Sequence, residues 1–415
     1  MRTLAGIVAP MRVAFVLPTL QPSGGIQVAL THAAALRERE GWDVSAVAVD
    51  AGTAAFETFV PVLDVDRAAA REWDVVVWTW WTTADAAMEL PARRRVAFMQ
   101  GLDERFYDWR APLDRLAASA ALATADGIVT VSEHLRDVAA AVRPDLEVLL
   151  VRNGLDRMAF APGAAARSDG PLRVLVEGQR NLPLKGVDDA VAAVRAMRAP
   201  ARSTLVALDP GVVDPAGVDR LVGGLDPAGM AALYAESDVL LKLSRAEGLG
   251  LPPLEAAAVG TPSVVTPFGG HADWLRHGVN GVLVGFDDLP GTTAWLDTLA
   301  RDRGLLHRLG AAARETASAW PTVDESADAL ARALRAVAQA DPGDAVSARR
   351  VVARSVARNV ELGRIDVDRV MWRYAEEHME RLVASRTYRL AEGLRRVWWR
   401  VRGLGGAVSR RRGRR

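Results

Sequence analysis

Two glutamates, Glu247 and Glu255, flank a turn marked by glycine and proline in the segment Ser244 to Val265, SRAEGLGLPPLEAAAVGTPSVV. An apolar strand is expected to end near Leu243. Gly248 and Gly250 then allow the backbone to come close to a ligand, and Pro252 and Pro253 suit the first turn of a helix. Unpaired amides at a helix start attract phosphate. Glu247 falls on the loop and Glu255 in the first turns of the helix, so the two are poorly placed to act as one catalytic pair. Their natural task is to accept hydrogen bonds from hydroxyls at two ends of a ligand whose phosphates lie between them. A loop acid beside a capping acid would give the same pattern with no ligand at all.

Cations stand where that ligand's charge would need them. Arg180 and Lys185, in EGQRNLPLKG, follow a strand ending at Glu177. An arginine fork and a lysine point charge together neutralise a diphosphate. Held in place, they stabilise a leaving phosphate more as its charge grows. Gly24 and Gly25, in LPTLQPSGGIQVAL, precede a helix expected from Ile26 and would aim amides at the same ligand from elsewhere in the chain. Gln100 and Glu104, in FMQGLDERFYDW, and Trp80 or Trp81, in WTWWTT, follow other strands. Either tryptophan could stack on a sugar or a lipid, with core packing the better reading for both. Asn153, Gly154 and Asp156 read as turn-shaping residues. Gly269, Gly270, His271 and Asp273 follow a further strand, and His271 has no obvious partner.

Together these residues resemble a known family. Glu247 and Glu255, with seven residues between them, match the E-x7-E signature of retaining GT-B glycosyltransferases of the GT4 group. The stretch from Gly224 to Val284 is similar to that family's C-terminal lobe almost throughout. The resemblance implies a nucleoside diphosphate sugar as donor. Glu255 would take the nucleotide ribose, Glu247 the transferred sugar, and the amides of Gly248, Leu249 and Gly250 the diphosphate. Arg180 and Lys185 would form the phosphate clamp, although Gln179 displaces the family's usual G-R spacing. Gly24 and Gly25 would contribute from the N-terminal lobe, and backbone near Gly223 to Asp226, Leu225 included, would read the base. Arg180, Lys185 and Glu247 are the expected catalytic residues. Many relatives carry a histidine, thought to touch the donor sugar or the acceptor, where this chain has the Gln100 to Glu104 segment, so the resemblance implies Gln100, Glu104 and Trp81 as the acceptor set. No DxD motif lies in a loop at a strand end, so no metal is expected.

The elements that must position these residues follow a repeated order. β-Branched runs such as RVAFVL and DVVVW alternate with Ala-rich helical stretches, which implies parallel sheets covered on both faces. Strands are expected at 13–17, 44–49, 75–80, 96–99, 127–131 and 148–151, with helices at 26–40, 113–120 and 133–142. A Gly, Ala and Pro stretch, 162–171, reads as a linker. The pattern then restarts with strands at 173–177, 204–208, 239–243, 263–266 and 282–284, and turns helical to 340. The fold class is therefore α/β, with two Rossmann-like lobes in the GT-B manner: an acceptor lobe, 11–160, and a donor lobe, 171–340. A helical basic extension, 341–415, follows, with helices at 367–383 and 388–401. Residues 1–10 precede a clean strand and read as the product of an upstream start.

Composition narrows the classes. The 415-residue chain has no cysteine and six scattered histidines, which argues against disulfides and against Cys- or His-based metal sites. No run is long and apolar enough for a membrane span. Net charge is +1, yet residues 386–415 hold eleven arginines against one acid, Glu392. Arginine mixed with Tyr388, Trp398 and Trp399 suits an anionic membrane surface, a nucleic-acid patch or a disordered solubilising tail, and the resemblance to transferases with lipid-linked acceptors favours the membrane, with no nucleic acid expected. The expectation is a cytoplasmic enzyme, peripheral on the inner membrane face. It would move a sugar with retention to a hydroxyl of a glycan or lipid-linked acceptor in surface-polysaccharide or glycoconjugate assembly. The alternatives are an inactive nucleotide-sugar-binding or membrane-bound scaffold and a GT-B epimerase.

Overall fold

Fully buried parallel strands need side chains that fill both faces of a sheet, and the β-branched runs supply them. The computed structural model describes residues 10–50, 59–107, 111–161, 170–208, 211, 214–340, 351–352 and 355–356. Its first sheet contains β1 (Arg12–Thr19), β2 (Asp43–Asp50), β3 (Val62–Leu63), β4 (Trp73–Trp78), β5 (Ala92–Met99), β6 (Gly127–Thr130) and β7 (Val148–Leu150), in the order β3-β2-β1-β4-β5-β6-β7. The second contains β8 (Leu172–Glu177), β9 (Ala201–Ala207), β10 (Arg220–Gly223), β11 (Val239–Lys242), β12 (Ser263–Val265) and β13 (Val282–Leu283), in the order β10-β9-β8-β11-β12-β13. All pairings are parallel. The α/β class and the two Rossmann-like lobes are thus as the sequence implied. β3 and β10 were not expected from the sequence, being short edge strands.

Eleven helices are described: α1 (Gly24–Glu40), α2 (Val65–Ala69), α3 (Thr83–Glu89), α4 (Pro112–Ala120), α5 (Glu133–Val142), α6 (Val187–Arg195), α7 (Pro227–Glu236), α8 (Leu251–Ala258), α9 (Leu289–Arg301), α10 (Arg303–Ser318) and α11 (Val323–Gln339). Helix α1 starts two residues earlier than expected, because Ser23 caps it by accepting from Ile26 N–H, and Gly24 and Gly25 fall inside its first turn.

Both lobes lie within one compact unit. Helix α11 falls in the 171–340 span but packs against α1 and the first sheet. Arg39 pairs with Asp324 and Asp328, Arg335 with Glu40, and Val337 presses on Gly127. Val351 and Ser355 are buried, and the Ser355 hydroxyl donates to Ser119 O. Residues 162–169 of the expected linker, the two expected helices at 367–383 and 388–401, and the Arg-rich stretch 386–415 lie outside the described residues.

In each sheet the chain winds outward in both directions from a central pair, β1 with β4 and β8 with β11. Loops at the carboxyl ends of such a pair diverge to opposite faces, leaving a crevice where ligands bind. The fold therefore marks the ends of β1, β4, β8 and β11 before any side chain is considered.

Candidate active site

A cleft of about 610 Å³ opens between the lobes at these ends. Pro18 and Thr19 end β1, Thr79 and Trp80 follow β4, Glu177 ends β8 and Lys242 ends β11, and all line the cleft. Of the residues expected from the sequence, Gly24, Gly25, Gln100, Lys185, Glu247, Gly248, Leu249 and Gly250 line the cleft.

The second-lobe wall carries a row of alternating charge. The Lys185 ammonium lies 3.0 and 3.2 Å from the two Glu247 carboxylate oxygens. Lys242 Nζ lies 3.1 Å from Glu247 Oε1 and also donates to Glu177 Oε2. The row runs Glu177, Lys242, Glu247, Lys185. Burial alone would raise the Glu247 pKa, but the ammoniums of Lys242 and Lys185 outweigh it and hold the carboxyl at about 2. Lys242 is fully buried. Desolvation pulls its pKa down, Glu177 and Glu247 more than reverse this, and the net shift is upward. Both groups of the central pair are charged at neutral pH.

Lys242 is not among the residues that the sequence motifs single out, although a signal was present. The chain contains two lysines, Lys185 and Lys242, in a sequence that otherwise uses arginine for its basic residues. Both meet on Glu247. A compact ammonium on a flexible stem fits between two carboxylates where a planar guanidinium does not.

Glu255 points elsewhere. It accepts from the Tyr234 hydroxyl at 3.2 Å, does not line the cleft, and burial pushes it up to about 7. The Tyr234 hydrogen bond and Lys242 oppose that rise, and Glu177 reinforces it. The two acids of the E-x7-E pair thus sit in opposite electrostatic environments. Gly250 adopts a left-handed φ of 84° at the start of α8, and a β-carbon there would fall 2.5 Å from the Phe268 ring. Gly248 lies so close to the first lobe that a β-carbon there would fall 1.8 Å from Gln100 O.

Arg180 is not brought to the cleft. Its guanidinium pairs with Asp188 at 2.6 Å and donates to the carbonyls of Asp214 and Ala216 at 2.7 Å each. Leu225 does not line the cleft either; it stands 38% exposed ahead of α7, whose first turn is capped by Asp226. On the first-lobe wall Gln100 donates to Gly25 O at 2.9 Å, tying the end of β5 to α1. Trp80, not Trp81, lines the cleft; the Trp81 indole donates to the Tyr107 hydroxyl at 2.9 Å. Glu104 is buried and off the cleft, whereas its neighbour Asp103, which no sequence motif marks, lines it.

The remaining motifs act between segments. Arg152 reaches Asp273 at 3.1 Å and Glu133 at 2.9 Å, and Asp273 also accepts from Glu133 N–H, so Asp273 joins the lobes. His271 Nδ1 is engaged by Phe268 O. Asp156 accepts from the amides of Met158 and Ala159, and Gly154 packs on the backbone of Thr322.

Two facing Rossmann-like lobes with a cleft at paired switch points define the GT-B class of glycosyltransferase folds. The sucrose-phosphate synthase of Thermosynechococcus elongatus superposes with a TM-score of 0.67 at 18% identity, covering 78% of this chain and 98% of that one. Anabaena HepE, solved with UDP-glucose, superposes with a TM-score of 0.65 at 18% identity, covering 79% and 100%. Residues 220–316 match the family described as Glycosyl transferases group 1. The glycogen synthase of Mycobacterium tuberculosis is 31% identical over 215 residues, which is 48% of this chain and 52% of that protein. The match spans about half the length of that curated relative.

Proposed function

We propose that the protein transfers a sugar from a nucleoside diphosphate sugar to a hydroxyl of a glycan or lipid-linked acceptor, with retention of anomeric configuration. The observation that carries this reading is the Glu177, Lys242, Glu247, Lys185 row at the second-lobe switch point, beside the first turn of α8. A diphosphate placed between the loop at Gly248 to Gly250 and Lys185 meets backbone amides and an ammonium. Glu247, ionised at neutral pH, accepts hydrogen bonds from the donor sugar's hydroxyls. HepE was solved with UDP-glucose in the same fold, and the group 1 family match over residues 220–316 includes Lys242 and Glu247.

In this reaction the bond from C1 of the sugar to the β-phosphate oxygen breaks, and its electron pair stays on phosphate. Lys185 stabilises the charge that builds there, more in the transition state than in the bound donor. The acceptor oxygen bonds to C1 on the face the phosphate leaves. Its proton passes to the departing phosphate oxygen. The reading invokes no metal ion. Arg180 enters the clamp only if its bonds to Asp188, Asp214 and Ala216 are exchanged for phosphate.

A thermal-shift panel of UDP, GDP, ADP and dTDP with their sugars tests the donor site, using wild type and Lys185→Ala. Ligand at a hundredfold excess over Kd stabilises the folded state by about 2.7 kcal/mol. A shift with one base, lost in Lys185→Ala, is the expected result. Folded protein that shifts with none of them removes the donor assignment and leaves an inactive scaffold as the better reading. Proton NMR of the first product reports whether configuration is retained.

A further inference from the structure

The first-lobe wall of the cleft has a different chemistry from the second. Trp80 and Phe106 meet edge to face, with ring centroids 5.1 Å apart and an interplanar angle of 83°. Both line the cleft, and Phe106 is 44% exposed, unusual for so large an apolar side chain. Beside them lies Asp103, one carboxylate oxygen of which accepts from Trp81 N–H at 2.8 Å. Gln100 completes the group, its side chain oriented by the bond to Gly25 O. Among the described residues lining this wall, Asp103 is the one ionisable side chain.

An aromatic pair open to a cleft, flanked by a carboxyl and an amide, matches one chemistry well. A pyranose ring presents a face of C–H groups that packs on an aromatic surface and a rim of hydroxyls that both donate and accept. We propose that Trp80, Phe106, Asp103 and Gln100 form a subsite for a pyranose ring of an uncharged glycan acceptor. The proposal rests on the transfer reading above, because a ring bound here faces the donor wall across the cleft. Asp103 suits a hydroxyl for a second reason. Burial pushes its carboxyl up to about 7, against the opposing Trp81 N–H, so at neutral pH it can donate or accept. An anionic acceptor finds no matching charge in this group and meets Asp103 instead.

Saturation-transfer NMR tests the subsite without any donor. The probes are methyl α-D-glucopyranoside, methyl α-D-mannopyranoside, maltotriose and D-glucuronate, presented to wild type, Trp80→Ala, Phe106→Ala and Asp103→Asn. The expected result is transfer to ring hydrogens of at least one neutral sugar, falling at least fivefold in Phe106→Ala and Trp80→Ala, with glucuronate weaker than the glucoside. Because Phe106 is exposed, its variant is expected to fold and keeps the test decisive if Trp80→Ala does not. Asp103→Asn preserves an acceptor for Trp81 N–H and is expected to weaken the signal at least threefold. Transfer to none of the neutral sugars, or equal transfer in wild type and Phe106→Ala, overturns the subsite. A stronger signal from glucuronate overturns its preference for uncharged rings. The nucleotide panel on the same proteins separates the two ideas: a nucleotide shift without sugar binding sinks the subsite alone, and sugar binding without a nucleotide shift sinks the donor reading and the acceptor role with it, leaving a neutral-sugar site.

Discussion

Lys242 shows what a single buried charge can organise. It joins two carboxylates that would otherwise repel each other, Glu177 at the end of β8 and Glu247 on the loop after the adjacent β11. Removing one member of a buried ionic group leaves its partner desolvated and uncompensated. Lys242→Met is expected to lower stability by about 3 kcal/mol, read as a shift in the urea midpoint at unchanged m-value. Lys242→Arg is not expected to restore it, since the planar fork needs more room than the ammonium. Full stability in the methionine variant would mean that the row is held by Lys185 alone. The two signature glutamates should also separate by pH. The Glu255 pKa rises in the fold from 4.5 to about 7, so its contribution to stability is complete below pH 4.5 and is lost as pH climbs towards 7. Glu247 is depressed from 4.5 to about 2, so its contribution is present above pH 4.5 and is lost as pH falls towards 2. Melting temperatures of wild type against Glu255→Gln should therefore diverge between pH 4.5 and 7. Against Glu247→Gln they should converge below pH 4.5.

At the scale of elements, strand ends and helix starts do the positioning, and here the sequence was most legible. Apolar runs such as Arg12 to Leu17 and Trp73 to Trp78 predicted buried parallel strands because both faces of a doubly wound sheet exclude water. β3 and β10, two and four residues long at the sheet edges, were not anticipated from the sequence. Glycine positions could be read as sites of close approach, but not what approaches. Gly248 illustrates this. Its φ is not positive, so the conflict of a larger residue is spatial: a β-carbon would sit 1.8 Å from a backbone oxygen that cannot rotate away. Gly248→Ala should cost about 1–3 kcal/mol and weaken nucleotide-induced stabilisation, because the loop that carries Glu247 must shift. At Gly24 a methyl group would meet nothing within 4 Å, and Gly24→Ala should change stability by no more than about 0.5 kcal/mol. Paired thermal melts with and without nucleotide check both. Side-chain direction was the part the sequence withheld. Arg180 and Lys185 lie on one loop, yet one turns to Asp188 and the other to Glu247, and that choice depends on contacts far along the chain.

At the scale of the whole molecule, two kinds of ionic contact join the lobes and their flanking helices, and they should not contribute equally. Arg39 bridges α1 to Asp324 and Asp328 of α11 in the open, where water solvates each partner almost as well as the pair does. Arg152 instead ends in Asp273, a carboxylate 2% exposed that also holds the first amide of α5. The same guanidinium lies 5.7 Å from the Trp320 ring centroid. Without Arg152, Asp273 stays buried with the Glu133 amide and the nearby His134 ring but no paired cation, and its uncompensated charge favours opening the interface to water. Arg152→Ala is expected to lower the unfolding free energy by about 3 kcal/mol and to enlarge the radius of gyration measured by small-angle scattering. Arg39→Ala should leave both unchanged within error. A double variant, Arg152→Ala with Asp273→Asn, removes the stranded charge and should recover part of the loss. If it recovers none, the contact acts through the Trp320 packing and not through charge. If Arg39→Ala proves as costly as Arg152→Ala, solvent exposure is not what ranks the interlobe contacts.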